Sequence, residues 1–398
     1  MAKPSVQGNK TSFHIVKQAT TASGIPATPE WRDLRRVSGD LTLSKGFQSS
    51  ETINPNRNAP KQILTSAEVA GEITAELNIT DPALEDAVVG ALQVDAPDGI
   101  IDDTAATTSF DNATATVSAV GAFANAVEGQ YLAAFGSVSN DRVFRIVTVT
   151  DADNIVVTPA PQDEAAGASV TLRGEKLSNG TTEQGFGVQK RIPTNSGTIY
   201  ETYEGFQVGS ISMAIGAQSK IDLSISFIGQ EKLDGITQIA GSTDAASPTG
   251  DLIGTVDGIP EFWGENGVLA TNETCFTDFS IEVNNNSAGE AAVGTAGYCG
   301  INHGNITVTG SLTSLVDGTD TTTANAEFDK FNSETKFPLG VTIKDAQGNY
   351  LVINMPSVQY TEFTRPPEAG VSLKNTGTYA AEGDTTGATI EMAFIRKP

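Results

Sequence analysis

Residues that carry chemistry are scarce in this chain: its 398 residues include two histidines, two cysteines and two tryptophans. His14 and His303 stand far from one another and from Cys275 and Cys299, so the ligand spacing of a zinc site is missing. Cys275 leads into a strand-like run and Cys299 sits in a Gly-rich loop; two such residues make no disulfide framework and read as free thiols. No Gly-x-Ser-x-Gly elbow occurs. Gly185-Phe186-Gly187 lacks the third glycine of a dinucleotide fingerprint. The Asp-rich loops Asp151–Asp153 and Asp317–Asp320 lack the terminal Glu of a calcium loop and read as solvated turns. Glu72 and Glu76, four apart on a strand-like run, are about 13 Å apart by strand rise, too far for a glycosidase pair. Trp31 and Trp263 each stand alone, as core or interface anchors do. The expectation is a protein that is not an enzyme and holds no cofactor or metal.

Positive charge is short as well. Against 48 acidic side chains there are 24 basic ones, a formal charge of −24. Duplex DNA is gripped by Lys and Arg that displace its counterions, so a DNA-gripping surface is excluded over most of this chain. An acidic surface otherwise serves solubility. No run approaches the roughly 18 apolar residues of a membrane helix. Met1 to Lys10 has no apolar segment of a secretory signal, and the chain is expected to be cytosolic when made.

What is present is β pattern. With 40 glycines and 38% hydrophobic residues, the composition suits many short strands joined by turns. From Val69 to Ile79 every second residue is apolar or small, while Glu72, Thr74, Glu76 and Asn78 face the other way. Asp81-Pro82 then opens a helix to Leu92, with Asp81 as N-cap and Pro82 at the first helical position. Between Gln93 and Arg173 five short β runs crowd together (Ala115–Val120, Gln130–Phe135, Val143–Thr150, Ile155–Pro159, Ser169–Arg173). They predict a small sandwich or barrel over residues 93–173, inserted into a host domain formed by 1–92 and 174–398. The host resumes with Phe206–Gln218 and Lys220–Gly229, passes a Gly/Ser/Thr/Asp-rich linker at Leu233–Gly258, and continues through Thr277–Val283, Asn305–Leu315, Phe337–Lys344, Tyr350–Tyr360 and Thr389–Arg396. A second helix is predicted over Thr323–Ser333.

A strand–strand–helix order occurs twice. Asp40–Leu43, Gly71–Leu77 and the first helix are echoed by Asp278–Ile281, Gly304–Leu312 and the second. Two halves of one sandwich would produce this echo, and so would chance, because β patterns resemble one another.

The stretch Trp31-Arg32-Asp33-Leu34-Arg35-Arg36, running into Val37–Lys45, resembles the opening of the tail tube protein family of long-tailed, non-contractile phages. Arg57–Gln62, Gly71–Leu77, the helix Asp81–Leu92, Tyr203–Phe206, Lys220–Gly229, Asn305–Leu315 and Phe337–Asn349 follow in that family's order. The resemblance covers about Phe13–Leu92 and Leu172–Pro398, and it implies a curled β-sandwich with one or two short helices. It further implies six subunits per ring, rings stacked into the virion's hollow tail tube after assembly in the host cytoplasm, and ejected DNA passing through without specific binding. The partners it implies are further copies of the chain, a tape measure protein, and tail tip and terminator proteins; residues 93–173 fall to the tube exterior. On this reading Glu72, Glu76, Asp222, Asp278 and Glu282 line the channel. Trp31, Arg32, Arg35, Arg36 and Arg57 belong to an arm over Thr28–Lys61 that contacts the next ring. Composition alone also suits a capsid decoration protein, a fibre or an adhesin.

Overall fold

Alternation decides most of the architecture, because residues two apart on a strand share a face and one face can be buried while the other stays wet. The computed structural model describes residues 10–19, 23–51, 61–105, 107–166, 169–233, 237–248, 250–256, 258–259, 261–264, 267–269, 275–316, 321–367, 370, 372–384 and 387–398. Arg57 and the loop Asp317–Asp320 lie outside them.

In chain order the described residues form β1 (Ser12–Lys17), β2 (Glu30–Leu34), β3 (Arg36–Ser49), β4 (Gln62–Glu76) and helix α1 (Pro82–Leu92). Next come β5 (Asp98–Ala105), β6 (Ser109–Asp111), β7 (Thr116–Ser118), β8 (Tyr131–Phe135), β9 (Val143–Val149), β10 (Asn154–Thr158) and β11 (Val170–Ser178). The chain continues through β12 (Phe186–Thr194), β13 (Gly197–Gly216), β14 (Asp222–Gly229), β15 (Glu231–Leu233) and β16 (Thr243–Asp244). Then follow β17 (Glu261–Gly264), β18 (Gly267–Leu269), β19 (Phe276–Asn284), β20 (Ala288–Ala291), β21 (Tyr298–Asn302) and β22 (Thr307–Leu315). Helix α2 (Thr321–Asn332), β23 (Phe337–Lys344), β24 (Tyr350–Thr364), β25 (Lys374–Ala381) and β26 (Glu391–Ile395) complete it.

Eight strands form one antiparallel sheet in the order β3-β4-β14-β13-β19-β22-β25-β24. β13 and β24 are long enough to serve two layers. The first part of β13 leaves this sheet to pair with β12 and β15, and the first part of β24 leaves it to pair with β23 and β26. The second layer is thus two ribbons, β2-β1-β12-β13-β15 and β18-β17-β23-β24-β26. Between the layers lies the main core. Ile73, Ile225, Val283 and Leu312 enter it from the eight-stranded sheet, Val188, Ile353 and Met392 from the second layer, and Leu84 and Val88 from α1. Each such side chain contributes about 1.5–3 kcal/mol by leaving water. α1 starts where the sequence places it: Asp81 accepts a hydrogen bond from the Ala83 N–H at 2.8 Å, and Gln93 closes the helix at φ 54°.

The resemblance led to a curled sandwich, and here the structure corrects it: no sheet is strongly curled. A sheet closes on itself when its edge strands pair. The outer edges of β3 and of the second half of β24 find no partner strand among the described residues, so the sheet does not close on itself.

Residues 98–173 contain seven strands where the sequence showed five, in the order β5-β11-β8-β9-β10-β7-β6. Of the two unforeseen strands, β5 is an Asp-rich run without clean alternation and β6 is only three residues long. Leu132, Phe144, Ile155 and Leu172 build a core within this segment. β8 is buried on both faces: Leu132 and Ala134 point into that core, while Tyr131, Ala133 and Phe135 pack against Trp263, Tyr350 and Val352 of the second layer.

Candidate assembly surface

One face of the eight-stranded sheet is almost entirely small, polar and acidic. Residues directly opposite on paired strands share a face, so the register can be read across it. Glu76 faces Asp222, and the row continues through Ala214, Ser280, Ser311, Thr378 and Glu362. Thr74, Ser224, Ser212, Glu282 and Thr309 form the next row. Asp40, Glu72, Ser226 and Ser210 form another, and Asp278 lies opposite Gly216 and Thr313. All five acids expected at a channel wall therefore lie on one surface. Asp40 and Glu362, which were not anticipated, join them; the alternation of β3 and β24 could have shown this once the strands were matched.

The hydroxyls on this face bond across strands, Thr74 to Ser224 at 3.0 Å and Ser280 to Ser311 at 2.8 Å, which occupies them with one another. Lys220 Nζ lies 3.1 Å from Asp222 and 3.7 Å from Glu76, and Arg35 reaches Glu76 at 3.4 Å. Glu72, Asp278 and Glu282 are exposed and form no ion pair among the described residues.

The residues expected to contact the next ring are placed differently. Their stretch is two strands, β2 and β3, where an arm or loop was expected. Trp31 is fully buried on β2, and its Nε1 donates to Ser242 Oγ at 3.4 Å. Arg32 pairs with Asp86 of α1, and Arg35 donates to the Gly250 carbonyl besides meeting Glu76. Arg36 lies over the Phe13 ring at 5.2 Å and donates to the Gly39 carbonyl at 2.7 Å. The outward feature of the same stretch is apolar. β3 and β4 run on past the end of β14, and there Phe47, Ile63 and Leu64 are 58%, 57% and 46% exposed.

Two buried polar groups mark the second layer. Glu391 is 1% exposed and accepts from Tyr131 at 3.0 Å, with Lys176 at 2.9 Å and Arg145 at 3.4 Å. His14, buried on β1 beside Arg191, has its pKa lowered to about 4, burial first and the Arg191 charge second. Burial likewise pushes Asp81 up to about 6 and Glu175 up to about 7.

Among the described residues no three His, Cys, Asp or Glu side chains cluster so as to hold a metal ion. A comparison with curated proteins gives no match. The sequence profile described as phage tail tube protein matches residues 8–394, a span that takes in both sheet layers and residues 98–173. Proteins of that kind are structural and non-catalytic. Nearly the whole fold, with its acidic sheet face, falls inside the match: this chain belongs to the phage tail tube protein family.

Proposed function

We propose that this protein polymerises as stacked rings into the tail tube of a long-tailed, non-contractile phage, with the acidic face of the eight-stranded sheet lining the DNA channel. The observation that carries this reading is the sheet itself, wet and acidic on one face, apolar on the other, and open at both edges. Open edges invite pairing with further copies, a hazard unless the pairing closes by rotation into a ring. Stacking of rings is head-to-tail and grows a filament. On this wall hydroxyls bond one another and the neighbouring cations Lys220 and Arg35 are held by Glu76 and Asp222, which leaves little positive charge to displace the counterions of DNA, so the duplex slides. The exposed Phe47, Ile63 and Leu64 on the β3–β4 hairpin supply an apolar contact to the next ring, and Trp31, Arg32, Arg35 and Arg36 fix the base of that hairpin. Residues 93–173 form an inserted module on the tube exterior, and tape measure, tail tip and terminator proteins meet the bore and the ends.

Negative-stain electron microscopy of the purified chain across a concentration series tests this. Hollow tubes or rings with a central hole are expected. Compact, pore-free trimers at every concentration would instead indicate a decoration protein or fibre.

A further inference from the structure

The two halves of the chain have the same wiring. In the first half β1 pairs with β2 and β12, β12 with β13, β13 with β15 and β14, β14 with β4, and β4 with β3. In the second, β17 pairs with β18 and β23, β23 with β24, β24 with β26 and β25, β25 with β22, and β22 with β19. Each of these seven pairings has its counterpart in the other half, in the same chain order, with α1 and α2 at the same point; β2–β16 and β20–β21 lie outside the correspondence.

The details agree as well. β13 bulges between Val208 and Ser210 against β14, and β24 bulges between Tyr360 and Glu362 against β25. Aligning the bulges sets Phe227 with Tyr379 and, through the next strand, Gly71 with Gly310. A Cβ on Gly71 would meet the Asp40 carbonyl oxygen at 2.1 Å, and one on Gly310 the Ser280 carbonyl oxygen at 2.0 Å. The flanking sequences, Val69-Ala70-Gly71-Glu72-Ile73-Thr74 and Val308-Thr309-Gly310-Ser311-Leu312-Thr313, keep the same pattern.

One pairing stands between the halves: β13, third sheet strand of the first, joins β19, first sheet strand of the second, with Ile211 opposite Val283 and Ser212 opposite Glu282. The equivalent strands at the free ends are β24 and β3. Carrying the register over puts Glu362 opposite Ser44, Phe363 opposite Leu43 and Thr364 opposite Thr42. In the internal joint Ile211 and Val283 are 3% and 1% exposed, whereas their counterparts Phe363 and Leu43 are only partly buried, as residues awaiting a neighbour would be. Pairing ends opposite Asp40, already held by Lys190 at 2.7 Å, where Pro366 has no N–H to give.

We infer that each chain supplies two tube units, and that the open β24 edge of one copy pairs with the open β3 edge of the next in the register of the β13–β19 joint. This rests on the ring reading above and fixes its geometry. Eight strands alone close on a barrel filled by side chains, while barrels of about 16–22 strands leave a lumen, so an open sheet needs further chains. A ring of six unit positions, the number the resemblance implies, is filled by three chains.

The test is disulfide trapping in assembled rings, with Cys275→Ser and Cys299→Ser removing the native, exposed thiols. Thr42→Cys with Thr364→Cys should link neighbouring chains about tenfold more than the shifted pair Thr42→Cys with Glu362→Cys, since disulfide geometry tolerates little displacement. Ser212→Cys with Glu282→Cys, the counterpart across the internal joint, should link within one chain and calibrates the yield. The closed linked species should contain half as many chains as the ring shows units. Rings whose Thr42 and Thr364 cysteines stay unlinked, or whose chains equal the units in number, overturn this inference alone. A chain that stays monomeric throughout, with the internal pair still linking, counts against the ring reading itself.

Discussion

His14 and Trp263 occupy equivalent places in the two halves of the molecule, opposite Gln189 on β12 and Gly340 on β23, and they live in opposite surroundings. Trp263 lies beneath residues 98–173, edge-on to Tyr131 at 6.0 Å, with its Nε1 donating to Thr342 Oγ1 at 2.7 Å. His14 meets Ser12 at 2.9 Å and lies near Asp33 and Arg191, the latter paired with Asp244 at 2.7 Å. One backbone plan has diverged in its side chains according to what covers it. The segment leaves the first half after α1 yet docks on the outer layer of the second, so it ties the halves together. Its removal would bare Trp263, Tyr350 and Val352, and a tube protein trimmed at residues 93–173 is expected to lose solubility.

The largest effect expected on this tie comes from Glu391→Ala. It strands Lys176 and Arg145 without their buried partner, which costs about 3–5 kcal/mol; urea unfolding would measure it, and a loss below about 1 kcal/mol would break the account of the tie. Next come Gly71→Ala and Gly310→Ala, each driving a Cβ into a carbonyl oxygen and each expected to cost about 3 kcal/mol. Similar losses in the two variants sharpen the equivalence of the halves; a large loss in one alone contradicts it.

His14 should show its surroundings in acid. Its folded pKa of about 4 lies below the unfolded 6.5, so its contribution is complete above pH 6.5 and is lost as pH falls toward 4. Thermal melts of the protein and of His14→Gln should diverge by about 3 kcal/mol across that window, with no counterpart at Trp263. Asp81 and Glu175 act with the opposite sign: their raised pKa values cost stability above about 6 and 7, and the loss is recovered as pH falls. They are common to both proteins in this comparison and cancel. The smallest stability change belongs to Glu72→Lys with Glu282→Lys, one exposed acid from each half, expected within about 0.5 kcal/mol. Tubes should form as before and DNA ejection should slow; unchanged ejection kinetics would remove the acidic wall from the account.

Much of this was legible in the sequence. The alternation of Val69–Glu76 and of Asp222–Gly229, and the Asp81-Pro82 cap, lie in the structure where the pattern put them. The repeat was visible as an echo between runs that begin at Asp40 and Asp278 and at Gly71 and Gly304; taken from those starts it would be out of step, because strand register matches Asp40 to Ser280 and Gly71 to Gly310. Both offsets are an even number of residues, which period-2 alternation cannot distinguish because the same faces stay in and out. The bulges at Gly209 and Thr361 fix the register, and a bulge has no hydrophobic signature. The first half of β13 was missed because Thr198–Glu204 mixes β-branched, aromatic and acidic residues without a dry face. Trp31 read as a core or interface anchor, and the resemblance gave it to the contact with the next ring; the indole is fully buried, while Arg32 and Asp33 turn to Asp86 and Ser247.

The most direct measurement is a three-dimensional reconstruction of the assembled tube, fine enough to separate strands. The account predicts a continuous β wall whose bore is lined by Glu72, Asp278 and Glu282, with α1 and α2 alternating outside it and β24 of each chain paired to β3 of the next. A bore lined by any other surface of the chain, or chains that meet without joining those two edges, would contradict it.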